Sequence, residues 1–372
     1  MATRICHVTS VHPANDVRVF HKECVSLAKQ YEVYLIAPNI SDDILHGVHR
    51  VGVALPQSRI KRQFKLKKVL QKAFEVDAAI YHLHDPELLP LGLKLRKRGK
   101  IVIFDSHEDV PMQILTKEYL PHWCRKPLSI IYACYERFFL KRYSALITVT
   151  PSILERLVTI NERSVMVTNY PAYKELPPHQ PNNDGTHYIC FAGGVDERYM
   201  HEYVIESLQY TSARYLLAGE CFIPSYFKKL QSLPQWERVD YQGILPPEKV
   251  MDLYTKADVG IVLLDYSPNV GYHKGTLGVL KMFEYMMAGI PVIATDLELW
   301  KEIIEGNNCG ICINPHNIHS IADAINRLIS DPEMSRQMGE NGQRAVKEKY
   351  NWATQEEILW GLYHNLLNNT NK

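Results

Sequence analysis

At 372 residues the chain exceeds what a single compact core serves, so two domains of ordinary size are expected. With 46% hydrophobic and 22% charged residues the composition is globular, which excludes disordered and fibrous classes, and no apolar run approaches the ~20 residues a membrane-spanning helix needs. The net charge of +1 hides an asymmetry: residues 1–170 carry 25 Lys and Arg against 16 Asp and Glu, whereas 171–372 carry 17 against 25, so the first half is expected to face something anionic.

The start, "MATRICHVTSVH", has no basic region followed by a long apolar core. It reads as a first buried strand rather than a secretory signal, and a cytoplasmic protein is expected. "RICHVTS" and "EVYLIAP" predict strands flanking a helix around Val19 to Lys29, and "AAIYHLHD", "KIVIFDS", "ALITVTP" and "SVMVTNYP" predict further strands. Runs apolar throughout and separated by helical patterns point to parallel strands covered on both faces, a doubly wound α/β sheet. The proline-rich, aperiodic segment 171–185 is the expected join. Beyond it the alternation restarts with "YICFAGG", a helix through about Leu208, "ARYLLAGE", "RVDYQG", "DVGIVLLD", "IPVIATD" and "CGICINP". The helix "SIADAINRLISD" follows Asn317–His319.

Ligands of such sheets bind at the carboxyl ends of strands, where loops offer backbone amides and helix N-termini. This selects His84-Asp85, Asp105 to Glu108, Asn169, Gly193-Gly194, Gly219-Glu220, Gly243 and the loop from Tyr266 to Gly278. All would line one cleft if the two sheets face each other. Of the eight cysteines only Cys309 and Cys312 form a CxxC pair, with no second pair or histidine spacing to match, so they read as free thiols and no structural metal is expected.

Two features need a partner or an explanation. Glu284 stands among Met282, Phe283, Met286, Met287 and Ala288, where a carboxylate either faces solvent or holds a ligand. Residues 59–74 carry seven basic residues and no acid, with Leu66, Val69, Leu70, Ala73 and Phe74 on one side of a helix, and 94–100 add five more. That pattern suits an anionic membrane surface, or equally a helix packing its apolar face on the sheet beneath solvated lysines. It lacks aromatic interleaving and any recognition motif, so no nucleic-acid partner is expected.

"AGGVDERYMHEYV", "YLLAGE", "YQGILPPEKVMDLYTKADVGIVLL" and "KMFEYMMAGIPVIATD" follow one another as in the retaining glycosyltransferases of family 4, which have the GT-B fold and use nucleotide-sugar donors. In the first half, "HLHDPELLPLGLKLRKRGKIVIFDSHED" resembles members that build bacterial surface polysaccharides. The resemblance implies an acceptor-side domain over 1–170, completed by a C-terminal helix 351–372, and a donor-side domain over 171–350. It puts the diphosphate at Gly193 and Gly194, where backbone approaches closely, with Arg198 and Lys281 as cations and Gly243, Ile244, Gly278 and Val279 in the donor loops. Arg198 also reads as a solvated helix residue.

Glu284 corresponds to the family's ribose-binding glutamate, a carboxylate accepting two neighbouring hydroxyls; a structural salt bridge with Lys281 is the alternative. The sequence departs at Thr276, where the family has a second glutamate that meets the donor sugar. His107 corresponds to a histidine beside the donor sugar. His84, Asp85, Asp16 and Arg18 are expected on the acceptor side, although "HLHD" also reads as a capped strand end. The family lacks a well-placed carboxylate nucleophile and is pictured as substituting on the face the diphosphate leaves, so neither an essential metal nor a cofactor is expected.

The expected activity is therefore retaining hexosyl transfer from a nucleotide sugar to a saccharide or lipid-linked saccharide, in surface polysaccharide biosynthesis, by a cytoplasmic protein that sits peripherally on the inner face of the membrane. The alternatives are a nucleotide-sugar 2-epimerase of the same fold and a nucleotide-sugar-binding protein without catalysis.

Overall fold

The computed structural model describes residues 2–369 apart from 59–60, 63, 118, 177–184 and 268–269. Arg59, Ile60 and Gln63 of the basic run, residues 177–184 of the expected join and the last three residues of the expected terminal helix thus lie outside the described residues. The chain divides into two units, Met1–Asn169 with Trp352–Lys372, and Tyr170–Asn351.

Among the described residues the first unit holds an eight-stranded sheet: β1 Arg4–Val8, β2 Glu32–Pro38, β3 Asp43–Leu45, β4 Val48–Val53, β5 Ile80–Leu83, β6 Ile101–Ser106, β7 Ala145–Thr148 and β8 Ser164–Met166, in the order β3-β4-β2-β1-β5-β6-β7-β8. Its pairings are parallel except for the β3–β4 edge hairpin. That hairpin turns on His46 and Gly47, both left-handed (φ 50° and 79°), the conformation whose twist matches paired strands. Strand order reverses between β1 and β5, so the ligand-binding crevice of this sheet opens at their carboxyl ends.

Side chains alternate across the sheet with period two. Cys6, Val8, Tyr81, Leu83, Val102 and Phe104 enter one core, and Ile5, Ile80, Ile101 and Ile103 the other. The first core is covered by helices including α1 Leu66–Val76 and α2 Leu89–Arg96. The second is covered by the helical stretch Val17–Ala28 and by the C-terminal helix. α3 Val110–Thr116, α4 His122–Leu140 and α5 Pro151–Val158 complete the first 169 residues.

α1 follows the second of the two readings of residues 59–74, a helix that packs its apolar face on the sheet. Its Val69, Ala73 and Val76 are buried, and Leu66, Leu70 and Phe74 pack against the same core. This apolar face is covered by the protein's own sheet, and Lys67, Lys68, Gln71 and Glu75 are exposed on the other side. In the second basic run Arg98 stacks 3.5 Å over Phe74, and Arg96 donates to the carbonyls of Arg142 and Lys100.

The second unit contains β9 Tyr188–Ala192, α6 His201–Ser207, β10 Arg214–Ala218, β11 Val239–Gly243, α7 Pro247–Lys256, β12 Val259–Val262, α8 Lys281–Ala288, β13 Val292–Thr295, β14 Gly310–Ile313, α9 Ile318–Ser330 and α10 Pro332–Glu348. The described strands form a parallel sheet ordered β11-β10-β9-β12-β13-β14, with its reversal between β9 and β12. The last helix, α11 Trp352–Asn368, belongs to the first unit. Trp352 and Trp360 donate to Ser26 Oγ (2.8 Å) and Ser26 O (3.1 Å), and Glu356 pairs with Lys29 at 2.6 Å.

Candidate active site

The alternation that builds the first unit also places its polar cluster. His7 shares a face with Ile5, His82 with Ile80, and Asp105 with Ile103, so all three point where the Val17–Ala28 stretch and α11 cover the sheet. That stretch begins at Asp16, whose Oδ1 accepts from Arg18 N (2.9 Å) and Val19 N (2.8 Å), an N-cap. It then winds wider than an α-helix, His21 N reaching Asp16 O at 3.1 Å, and brings Arg18 and Glu23 inside.

The Arg18 guanidinium grips Asp105 through Nε (3.0 Å) and Nη2 (2.9 Å) and donates to Val167 O at 2.8 Å. Burial opposes the charge on Asp105, but Arg18, with His107 and His84, outweighs it and holds the carboxyl well below its usual range. Arg18 Nη2 also lies 3.0 Å from Glu23 Oε1, an ion-pair distance, yet neither Glu23 oxygen accepts a hydrogen bond. There burial prevails over Arg18, with the Asp105 charge adding to it, and Glu23 is held well above the carboxylate range, in its neutral form.

His107 stands at the mouth of this cluster. Its Nε2 is 3.1 Å from Asp105 Oδ2 and 3.2 Å from His84 Nδ1. An ionised carboxylate only accepts, so His107 Nε2 carries the hydrogen and Nδ1 is the ring nitrogen left for a ligand. Behind it a chain of hydrogen bonds runs from His84 Nε2 to His7 Nδ1 (2.9 Å), from His7 Nε2 to the Tyr363 hydroxyl (3.3 Å), and from there to His82 Nδ1 (2.9 Å). Burial lowers the pKa of all three histidines, His84 to about 4, so they are neutral; His84 and His7 each pass on one hydrogen, and the chain ends at His82, whose buried Nε2 has no hydrogen-bond partner among the described residues.

His7, Glu23, His82 and His84, and likewise His84, Asp105 and His107, bring metal-ligand-type atoms within 4.8 Å of one another. Arg18 already supplies the cation there, and its buried guanidinium would repel a divalent ion.

Asp85 accepts from Thr9 Oγ1 (2.8 Å) and Ser10 N (2.6 Å) and ties the loop after β1 to the end of β5. Asp16 and Asp85 also flank His12, at 3.4 and 3.6 Å. Of the expected acceptor-side residues, then, Arg18 is buried and supports Asp105, Asp16 caps a helix, and Asp85 braces two strand ends. His84 is buried between His7 and His107.

In the second unit Gly193 follows β9 at the sheet's reversal point. Its φ is 155°, and a Cβ there would meet Lys281 Cε at 2.3 Å, because the lysine side chain lies across it. A Cβ on Gly219, after β10, would meet Gly193 O at 1.6 Å, and Gly219 N donates to Gly243 O at 2.7 Å. The three strand ends are therefore packed backbone on backbone. Gly194 is open, with only Asp196 Oδ2 within 4 Å of an added Cβ, at 3.8 Å.

The Lys281 ammonium lies 4.9 Å from the Phe191 ring and 4.6 Å from that of Tyr199. Among the described residues no ion pair joins it to Glu284. The Glu284 carboxylate accepts from the Tyr254 hydroxyl at 2.9 Å through Oε2. The structure thus brings Gly193, Gly194, Gly243 and Lys281 together, with Glu284 one helical turn further.

Arg198 is not among them: it forks onto Asp196 (2.7 and 3.0 Å), and its side chain is 72% exposed. Thr276 Oγ1 is held within its own loop, accepting from Gly278 N at 3.1 Å. The Val279 side chain is buried and that of Ile244 exposed.

Residues 173–345 match the family described as glycosyl transferases group 1, and residues 17–169 the family described as glycosyltransferase family 4. A relative, the uncharacterized glycosyltransferase MJ1607 of Methanocaldococcus jannaschii, is 28% identical over 174 residues, which are 45% of this chain and 42% of that protein. The chain thus spans under half the length of that relative.

Among solved structures, the sucrose-phosphate synthase of Thermosynechococcus elongatus aligns with a TM-score of 0.74 at 18% identity, over 98% of this chain and 99% of its own. Anabaena HepE, solved in complex with UDP and glucose, aligns with a TM-score of 0.70 at 15% identity, over 98% and 100%. These two likenesses concern the fold, two Rossmann-like α/β domains of the GT-B class. The chain belongs to the family 4-like glycosyltransferases of the GT-B fold.

Proposed function

We propose that the chain transfers a sugar, with retention of anomeric configuration and without an essential metal, from a nucleotide-sugar donor to a saccharide or lipid-linked saccharide acceptor in surface polysaccharide synthesis. The observation that carries the reading is the second unit's glycine floor, with Lys281 lying across Gly193 and Glu284 one turn beyond. A diphosphate needs close backbone and one cation; a ribose needs an acceptor for two hydroxyls. Glu284 has one oxygen bonded to Tyr254 and keeps the other for the ribose. HepE, of the same fold, carries UDP and glucose in its solved complex.

In the proposed reaction the acceptor oxygen forms its bond to the anomeric carbon on the face from which the diphosphate departs. The carbon–oxygen bond to phosphate breaks with its electron pair, and the departing phosphate oxygen takes the acceptor's proton. Lys281 stabilises the charge on the diphosphate, and His107, oriented by Asp105, hydrogen-bonds the donor sugar through Nδ1.

Thermal shift against UDP-, GDP-, ADP- and dTDP-sugars, followed by an assay for nucleotide release with and without acceptor, tests the reading. Stabilisation by one donor class and acceptor-dependent release are expected. No stabilisation by any donor contradicts it. Conversion of the sugar without acceptor marks a 2-epimerase instead. Binding with no turnover on any acceptor marks a non-catalytic protein, the reading to which Thr276 lends weight because its hydroxyl stays in its own loop.

A further inference from the structure

We propose that Tyr254 is a positioning residue for the nucleotide: its hydroxyl holds the Glu284 carboxylate away from Lys281, which leaves the carboxylate for the ribose and the ammonium for the diphosphate. The role rests on the proposed reading of α8 as the helix that binds the nucleotide.

Lys281 and Glu284 stand three residues apart on α8, a spacing at which a helical Lys and Glu meet as an ion pair. Such a pair would occupy both charges before a ligand arrived. The structure keeps them apart. The Lys281 ammonium lies over the Phe191 and Tyr199 rings, 3.4 Å from the Tyr199 hydroxyl, while Glu284 Oε2 accepts from the Tyr254 hydroxyl at 2.9 Å. One neutral hydroxyl, brought in from α7, therefore decides which way the carboxylate turns.

That hydroxyl is itself fixed. Tyr254 and Tyr285 are fully buried and meet edge to face, their centroids 5.0 Å apart and their planes at 86°. The Tyr285 hydroxyl donates to Ile261 O at 3.3 Å. Its ring fills the space over Gly260, where a Cβ would meet Tyr285 Cγ at 2.2 Å. Contact thus runs from β12 through Tyr285 to Tyr254 and ends on Glu284. Burial, and after it the Glu284 charge, holds the Tyr254 phenol well above its usual pKa, so it keeps its hydrogen and donates. With Oε2 engaged, Oε1 has no hydrogen-bond partner among the described residues and is the oxygen left for the ribose. The side chain is ordered before the ligand arrives, which removes that cost from binding.

Tyr254→Phe tests this, because it removes the hydroxyl and keeps the buried ring. The nucleoside diphosphate that thermal shift selects and its 2′,3′-dideoxy analogue are titrated calorimetrically into the wild type, Tyr254→Phe, Glu284→Gln and the double variant. Tyr254→Phe is expected to bind the intact nucleotide about two- to tenfold more weakly, the cost of ordering one freed side chain. It is expected to lose less with the dideoxy analogue, and its donor KM should rise with kcat changed less than about twofold. In the Glu284→Gln background the same substitution should cost little more, because Tyr254 acts through the carboxylate. A merely structural tyrosine would weaken both ligands equally and add its full loss to that of Glu284→Gln; either result overturns the proposal. So does a Tyr254→Phe variant that keeps the full wild-type preference for the intact ribose, and there the placement of the nucleotide still stands. A wild type that binds the nucleotide without that preference contradicts the placement on α8, and the role of Tyr254 with it.

Discussion

Replacing Asp105 by Asn removes the charge that Arg18 was folded around. Breaking a buried ion pair by removing one partner costs about 3–5 kcal/mol, because the other charge stays buried and uncompensated. The structure predicts less than this for the single substitution. Glu23 Oε1 is 3.0 Å from the same guanidinium, and the Asp105 charge is among the causes that keep Glu23 protonated. With Asp105 neutral, Glu23 can release its proton and take over as counter-ion. Glu23→Gln alone replaces a neutral carboxylic acid by a neutral amide of the same shape and should cost about 1 kcal/mol or less. Asp105→Asn/Glu23→Gln leaves Arg18 with neither, and the full penalty of about 3–5 kcal/mol should appear. Urea unfolding of the four proteins closes a double-mutant cycle with an expected coupling of about 1–3 kcal/mol. Additive losses, or a double variant as stable as the wild type, would refute the assignment of charge in this cluster.

His107→Ala should lower turnover by about 10²-fold or more while leaving nucleotide affinity nearly unchanged; equal loss of both contradicts the assignment, and inhibition by EDTA reversed by Mg²⁺ or Mn²⁺ contradicts metal independence. Gly193→Ala drives a methyl into Lys281 and should weaken nucleotide binding about tenfold, read by calorimetry. His7, His82 and His84 are held below 6.5 by burial, so the unfolded chain binds up to three more protons and stability, complete above that pH, falls as pH drops toward about 4. Glu23, held high, binds its proton on folding and offsets one of the three, while His201, lowered by burial to about 3, adds one, which leaves a loss of about 4 kcal/mol per unit near pH 5.5. A urea midpoint unchanged between pH 7 and 5.5 would contradict this.

Much of this architecture is legible in the residues. "KIVIFDS" and "ALITVTP" become β6 and β7, and "SIADAINRLISD" becomes α9 capped by Asn317, because buried parallel strands are apolar throughout and an Asn ahead of a helical period is a cap. The β3–β4 edge is harder to see: Asp43–Leu45 is exposed and only His46-Gly47 marks its turn. Period two in "RICHVTS", "AAIYHLHD" and "KIVIFDS" is the signal that sets His7, His82, His84 and Asp105 on one face. Nothing in "FHKECVSLAK" separates the buried Glu23 from a surface carboxylate, since its environment comes from a loosely wound turn and a helix more than 300 residues later. The basic amphipathic pattern of residues 59–74 leaves open what covers its apolar side; only the packing tells that α1 buries it. Lys281 and Glu284, three apart, suggest a salt bridge that tertiary contacts override, Lys281 turning to Phe191 and Tyr199 and Glu284 to Tyr254.

The most direct measurement concerns Glu284. Glu284→Gln keeps an acceptor for the Tyr254 hydroxyl, so the fold is held, while the charge that would bind the ribose is gone. The nucleoside diphosphate selected by thermal shift and its 2′,3′-dideoxy analogue are titrated calorimetrically into wild type and variant. Charge-assisted hydrogen bonds are worth about 1.5–3 kcal/mol each, so the wild type should prefer the intact ribose by about tenfold or more, and the variant should hardly distinguish the two. A variant that keeps the full wild-type preference would contradict the placement of the donor nucleotide on the second unit's α8.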